Sequence, residues 1–206
     1  MKKLVGAVVL ALALSAAQSQ AATIGSTPAS NNVIGVTEGW YGANLYLIAG
    51  GSTLIDIEFI GKEAAFTDRF FLNGTEYINN QTTPVGPVAT VAVLPGLITF
   101  HFTINGGAPA PTNGANPLPS TNLPNFYVTL GGPLDTLING STPTGGTTAW
   151  IALDDGGAGP DDNHDDLVLK LTISGGSFQV PDGGATLTLL GCALIGLGAL
   201  RLRFGA

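Results

Sequence analysis

Cysteine is almost missing from this chain, charge is scarce, and positive charge is scarcest of all. The single cysteine, Cys192, stands in an apolar stretch near the C-terminus. The body before it can therefore close no disulfide, build no cysteine-ligated metal centre and supply no thiol nucleophile. Only 10 % of the residues are charged, against roughly a quarter in an average soluble protein. Of the 7 basic residues, Lys2 and Lys3 lie at the extreme N-terminus and Arg201 and Arg203 at the extreme C-terminus. The body keeps Lys62, Arg69 and Lys170 against 14 acidic residues with Asp182 counted, a net charge of −11 once the four terminal basic residues are set aside. Such a surface repels phosphate backbones and excludes nucleic acid as a partner. The chain also lacks a Gly-x-Ser-x-Gly elbow, a His-Glu-x-x-His zinc helix and a phosphate loop, so no common catalytic motif is written into it. These absences lead to the expectation of a non-enzymatic protein.

What is present are 30 glycines and 45 % hydrophobic residues, a composition suited to short strands and many turns rather than to disorder. Both ends differ from the body. Lys2 and Lys3, the apolar run Leu4–Leu14 and the small residues toward Ala21 and Ala22 have the layout of a secretory signal peptide over residues 1–21. Ser19-Gln20-Ala21 places cleavage between Ala21 and Ala22, or one residue later. Near the other end, Ala185–Leu200 carries no charge and rises about 24 Å as a helix, slightly short of a ~30 Å hydrocarbon core. Leu202 and Phe204 lengthen it, which predicts a transmembrane helix over 185–204 with Arg201 and Arg203 on the cytoplasmic side. Cys192 shares a face of that helix with Gly196 and Ala199, which suits close helix contact better than a reactive thiol.

Between about Thr23 and Ser174 the pattern alternates with period two. Ile98, Phe100, Phe102 and Ile104 face one side of a run from Leu97 to Ile104, while Thr99, His101 and Thr103 face the other. Thr53–Ile60 and Leu167–Ile173 alternate in the same way, and shorter candidates are Asn44–Ile48, Arg69–Leu72, Glu76–Ile78, Val88–Val93, Phe126–Leu130 and Ala149–Leu153. Asn73-Gly74, Asn105-Gly106, Asn139-Gly140 and Gly50-Gly51 supply the positive φ that tight hairpins need. The five prolines between Asn105 and Pro124 mark a surface loop. Strands solvated on one face at this spacing predict an all-β body, a two-sheet antiparallel sandwich of jelly-roll type over 23–174, followed by a linker at 175–180.

The stretch Asp154–Asp166 holds six aspartates in thirteen residues, which repel one another unless a cation or solvent screens them. Carboxylates on a glycine-rich loop suit calcium, a hard cation that takes six to eight oxygen ligands. Asp161-x-Asn163-x-Asp165 copies the opening of an EF-hand loop, but Asp166 replaces its glycine and Thr172 its closing glutamate. Gly156-Gly157-x-Gly159-x-Asp161 matches part of a calcium-binding nonapeptide, in a single copy. The expected ligands are Asp154, Asp161, Asn163 and Asp165, with Asp166 in reserve; the alternative is a solvated acidic turn. His164 reads as a polar bystander in this loop, and His101 as a residue of a polar strand face.

Val180-Pro181-Asp182-Gly183-Gly184, the apolar stretch after it and the terminal Arg201 and Arg203 together resemble the PEP-CTERM sorting tail in its Val-Pro-Asp-Gly-Gly form. The resemblance covers residues 180–206. It implies export in a Gram-negative bacterium, with the tail recognised by a membrane-embedded exosortase and the protein left at the cell surface or in an exopolysaccharide matrix. Asp182 and Gly183 stand where the family name has Glu and Pro. The segments Gly61–Thr67 and Phe70–Gly74 are also similar to the bodies of proteins that carry this tail. Alternatives are a lectin-like carbohydrate-binding module, with Trp40, Tyr41 and Trp150 as stacking platforms, and a secreted glycoside hydrolase using carboxylates such as Glu58 and Glu63.

Overall fold

The computed structural model describes residues 22–108, 110–131, 145–159 and 161–181. The expected signal peptide and the expected transmembrane helix at 185–204 lie outside the described residues, as do Asn139-Gly140 and most of the sorting motif. Among the described residues the fold is all-β, with antiparallel sheets, and no helix is long and apolar enough to cross a membrane.

The first strands are β1 (Thr23–Ser26), β2 (Glu38–Tyr41), β3 (Tyr46–Ile48) and β4 (Thr53–Gly61). The chain continues through β5 (Asp68–Leu72), β6 (Thr75–Asn79), β7 (Gly86–Val93), β8 (Gly96–Leu97) and β9 (Phe100–Ile104). It ends with β10 (Asn125–Leu130), β11 (Gly145–Gly146), β12 (Thr148–Asp154), β13 (Leu167–Ile173) and β14 (Ser177–Gln179). A seven-stranded sheet runs β1-β2-β10-β12-β13-β4-β7, a four-stranded sheet β11-β14-β3-β8, and a three-stranded sheet β6-β5-β9.

Alternation explains how these strands meet. Ile55, Ile57 and Phe59 of β4 turn inward and are at most 2 % exposed, opposite Ile173, Leu171 and Leu169 of β13 in register. The inward residues of all three sheets form one core, in which the Phe100 and Phe126 rings from different sheets lie 5.2 Å apart. Asn73 and Gly74, with φ of 51° and 80°, close the β5–β6 hairpin as the Asn-Gly pattern requires. The outer face of the seven-stranded sheet is not solvated throughout. Val33 and Ile34 cover Tyr127, Ala152 and Val168 there, so every residue of β10 is buried.

Three readings of the sequence change. The run Leu97–Ile104 is two strands in two sheets, because the chain turns at Ile98, whose carbonyl accepts from Phe100 N–H at 3.1 Å; alternation survives such a tight turn and hides it. Gly50-Gly51 closes no hairpin; neither glycine has positive φ, and the strands flanking it belong to different sheets. The segment read as a linker, 175–180, contains β14, which pairs with β3 and β11 and buries Phe178 completely. Three residues are too few to show a period, so the sequence cannot signal such a strand. The proline-rich loop is surface chain pinned by two buried asparagines. Asn113 accepts from Leu45 N–H and donates to Leu45 O and Ile98 O. Asn116 accepts from Phe126 N–H and donates to Phe126 O and Ala43 O.

Candidate functional site

The acidic stretch connects β12 to β13, adjacent antiparallel strands whose last pair is Leu153 with Leu167. It folds back on the body instead of extending into solvent. Gly157 has φ of +68°, and a Cβ there would lie 2.6 Å from Leu123 backbone atoms, so only glycine lets the loop approach this closely. Ala158 N–H then donates to Thr121 O at 2.9 Å. On the other side Asn31 Nδ2 donates to the carbonyls of Asn163 and His164, both at 2.9 Å. His164 is held at φ of 58°.

This folding gathers Glu63, Asp68, Asp154, Asp155, Asp161, Asp162, Asp165 and Asp166, eight of the chain's 14 carboxyls, into one end of the body in three groups. In the first, Asp155 N–H donates to Asp166 Oδ2 at 2.8 Å, and Asn80 Nδ2 to Asp68 Oδ2 at 2.9 Å. The Asp155 and Asp68 carboxyls lie within hydrogen-bonding reach of each other. Burial, reinforced by the charges of Asp155 and Asp166, pushes Asp68 up to about 8. Burial likewise raises Asp166 to about 7.

The second group is Glu63, Asp161, Asn163 and Asp165. Asn32 N–H donates to Asp165 Oδ2 at 2.7 Å, and Asn32 Nδ2 to Glu63 Oε2 at 2.6 Å. Asn163 Nδ2 lies 3.4 Å from Asp161 Oδ1 and 3.5 Å from Glu63 Oε2. Burial first, then contact with Glu63 and the charge of Asp161, raises Asp165 above the usual carboxylate range. Asp165 Oδ1 and Asn163 Oδ1 are both buried with no hydrogen-bond partner. These donors are all oxygens, which fits a hard cation.

The third group is Asp154, Asp162 and His164, with one ligand atom from each lying within 4.8 Å of the others. Asp154 is fully buried; its Oδ1 accepts from Gly156 N–H and Gly157 N–H at 2.9 and 2.8 Å. Tyr41 packs its ring edgewise against His164 at 5.1 Å between centroids. Burial, then the charges of Asp162 and Asp154, pushes its hydroxyl up to about 12.

The five residues expected to share one ion therefore divide. Asp161, Asn163 and Asp165 stay together and gain Glu63, Asp154 joins His164 and Asp162, and Asp166 joins Asp68 and Asp155. Spacing along the loop could not reveal this, because Asp68 and Asn125 arrive from β5 and β10 and Glu63 from the segment between β4 and β5. The aromatic candidates for a sugar platform are engaged elsewhere: Trp40 is 4 % exposed in the core, and Lys170 Nζ sits 5.6 Å above the Trp150 ring. Tyr41 donates its hydroxyl to Ser26 O. Glu58 pairs with Lys170 on the outer face of the sheet, whereas Glu63 belongs to the carboxylate end.

Of the sorting residues, Val180 is 2 % exposed in the core and Pro181 follows it at the surface; Asp182, Gly183, Gly184, Arg201 and Arg203 lie outside the described residues. Residues 179–204 match the VPDSG-CTERM motif, with Gly183 at the place of its serine. The C-terminus thus carries a PEP-CTERM-type sorting motif. No curated protein and no solved structure matches the chain.

Proposed function

We propose that this chain is an exported, non-enzymatic protein of the cell envelope or extracellular matrix, sorted by an exosortase in a Gram-negative bacterium and associated with exopolysaccharide. The observation that carries the reading is the VPDSG-CTERM match at 179–204, which begins where the β body ends. In this reading the body is a two-sheet antiparallel sandwich: the seven-stranded sheet is one layer, and the two smaller sheets together form the other. The Phe100–Phe126 contact supports that layering. Residues 1–21 direct export, the apolar stretch at 185–204 holds the chain in the membrane until processing, and Val180 anchors the motif's first residue in the body. Calcium bound at Glu63, Asp161, Asn163 and Asp165 stiffens the loop between β12 and β13. The unpartnered Asp165 and Asn163 oxygens support this.

A lectin-like module is the second reading, and the engagement of Trp40, Tyr41 and Trp150 weighs against it. The test of sorting is the intact mass of the protein from hosts with and without an exosortase. Loss of residues 185–206 only with the exosortase, and an N-terminus at Ala22 or Thr23, is the expected result. A full tail in both hosts overturns the sorting reading.

A further inference from the structure

We propose that His164, Asp154 and Asp162 form a second metal site, distinct from the oxygen-only calcium group and selective for a divalent transition ion of the zinc type. Asn125 sets the tautomer of His164. Its Nδ2 lies 3.1 Å from Asp154 Oδ2 and 3.4 Å from Leu123 O, and both partners accept only. That fixes the amide orientation, so Oδ1 is the atom 2.8 Å from His164 Nε2, and this nitrogen must carry the proton. His164 Nδ1 is then a bare lone pair. Its side chain is 0 % exposed, Nδ1 has no hydrogen-bond partner, and it lies 3.4 Å from Asp162 Oδ1.

Two carboxylates and an imidazole lone pair therefore converge with no donor between them. Protonation would relieve this only by occupying the lone pair that a metal ion takes up. A cation relieves it instead. An ion with bonds of about 2.0–2.1 Å in tetrahedral geometry separates its ligand atoms by about 3.4 Å, which the Asp162–His164 pair already matches. Calcium prefers oxygen, whereas imidazole suits zinc and its neighbours. The Asn125 contact is the outer hydrogen bond that a metal-bound histidine needs to fix its tautomer. With three protein ligands, the fourth position is left to water, reached past Asp162, whose side chain is 34 % exposed. The ion would join the end of β12 to the turn that opens β13.

The experiment uses the envelope-purified protein in detergent, stripped by chelator and held in excess calcium so that the oxygen-only group cannot respond. It is titrated with cobalt(II) and then with zinc(II). One equivalent of cobalt should give visible ligand-field absorption, removed by one equivalent of zinc and insensitive to further calcium. His164→Gln should abolish the absorption. Asp162→Asn, at a partly exposed side chain that leaves the core intact, should weaken cobalt binding at least about tenfold. His101→Ala, the change at the chain's other histidine, should bind as the unaltered protein does. No binding in excess calcium, displacement of cobalt by calcium, or equal binding by Asp162→Asn would each overturn the proposal.

Discussion

The aromatic centre and the carboxylate end are held by opposite means. At the centre, Phe70, Phe100, Phe102 and Phe126 lie with ring centroids 5.2–6.1 Å apart, and their burial needs no partner beyond one another. At the other end, Asp68, Asp154 and Asp165 are 0 % exposed, and acceptors outnumber donors. Asp68 Oδ1, Asp165 Oδ1, Asn163 Oδ1 and His164 Nδ1 are buried without a hydrogen-bond partner. Buried polar groups left in that state cost stability. The first region is complete as a polypeptide; the second calls for protons or cations from solution.

The largest effect belongs to the self-sufficient region. Phe102→Ala removes a ring that is 0 % exposed and touches three others. It should destabilise the fold by about 3–5 kcal/mol. Denaturant titration should find that loss equal with calcium and with chelator; a calcium-dependent loss would show that the two regions are not independent. Next comes the ion itself. Calcium at about a hundred times its dissociation constant should stabilise the protein by roughly 2.7 kcal/mol. Sodium at matched ionic strength should not reproduce this, because screening treats both salts alike. Equal melting temperatures in calcium, sodium and chelator would leave the carboxylate end a proton-held cluster.

The two regions were also unequally legible in the sequence. Ile55, Ile57 and Phe59, or Phe100 and Phe102, announce their inward face because side chains alternate along a strand. The loop at 154–166 was legible as acidic and as a connection between two strands. Its partition into three groups was not, since Asp68 and Asn125 reach it from β5 and β10, and Glu63 and Asn80 from the segments that follow β4 and β6. The signal for His164 was weak: one histidine among carboxylates has no motif, and its importance lies in the Asn125 contact, 39 residues away in the chain. The buried Asn31, Asn113 and Asn116 carry no distinguishing signal, because asparagine is common in turns for unrelated reasons.

A change of pH sharpens the comparison without any mutation. Asp68 and Asp166 are raised to about 8 and about 7 in the folded protein, far above an ordinary carboxyl near 3.9 in an unfolded chain. Over that interval the folded state holds more protons than the unfolded one, so stability falls as pH rises. His164 acts the other way, but only below about 6.5, where the unfolded imidazole takes up its proton. In chelator, the melting temperature should therefore drop from pH 6.5 to pH 8. Calcium should leave that drop largely in place, because Asp68 and Asp166 stand outside the group of Glu63, Asp161, Asn163 and Asp165 that holds the ion. A flat profile in chelator would mean that these carboxyls are ionised and compensated at all these pH values.

The smallest expected effect tests whether charge near the sheet matters everywhere or only at the carboxylate end. Glu58 and Lys170 pair on the outer face of β4 and β13, with side chains 33 % and 27 % exposed. Water and salt screen both groups, and each retains solvent contact if the other is removed. Glu58→Gln keeps the shape of the side chain and leaves Lys170 above the Trp150 ring. The loss should be under about 1 kcal/mol, with no dependence on calcium and little change between pH 6.5 and pH 8. Thermal melts in calcium and in chelator would measure it beside the unaltered protein. A loss as large as that from calcium removal would show that this sheet is sensitive to any altered charge, and the contrast between the two regions would fail.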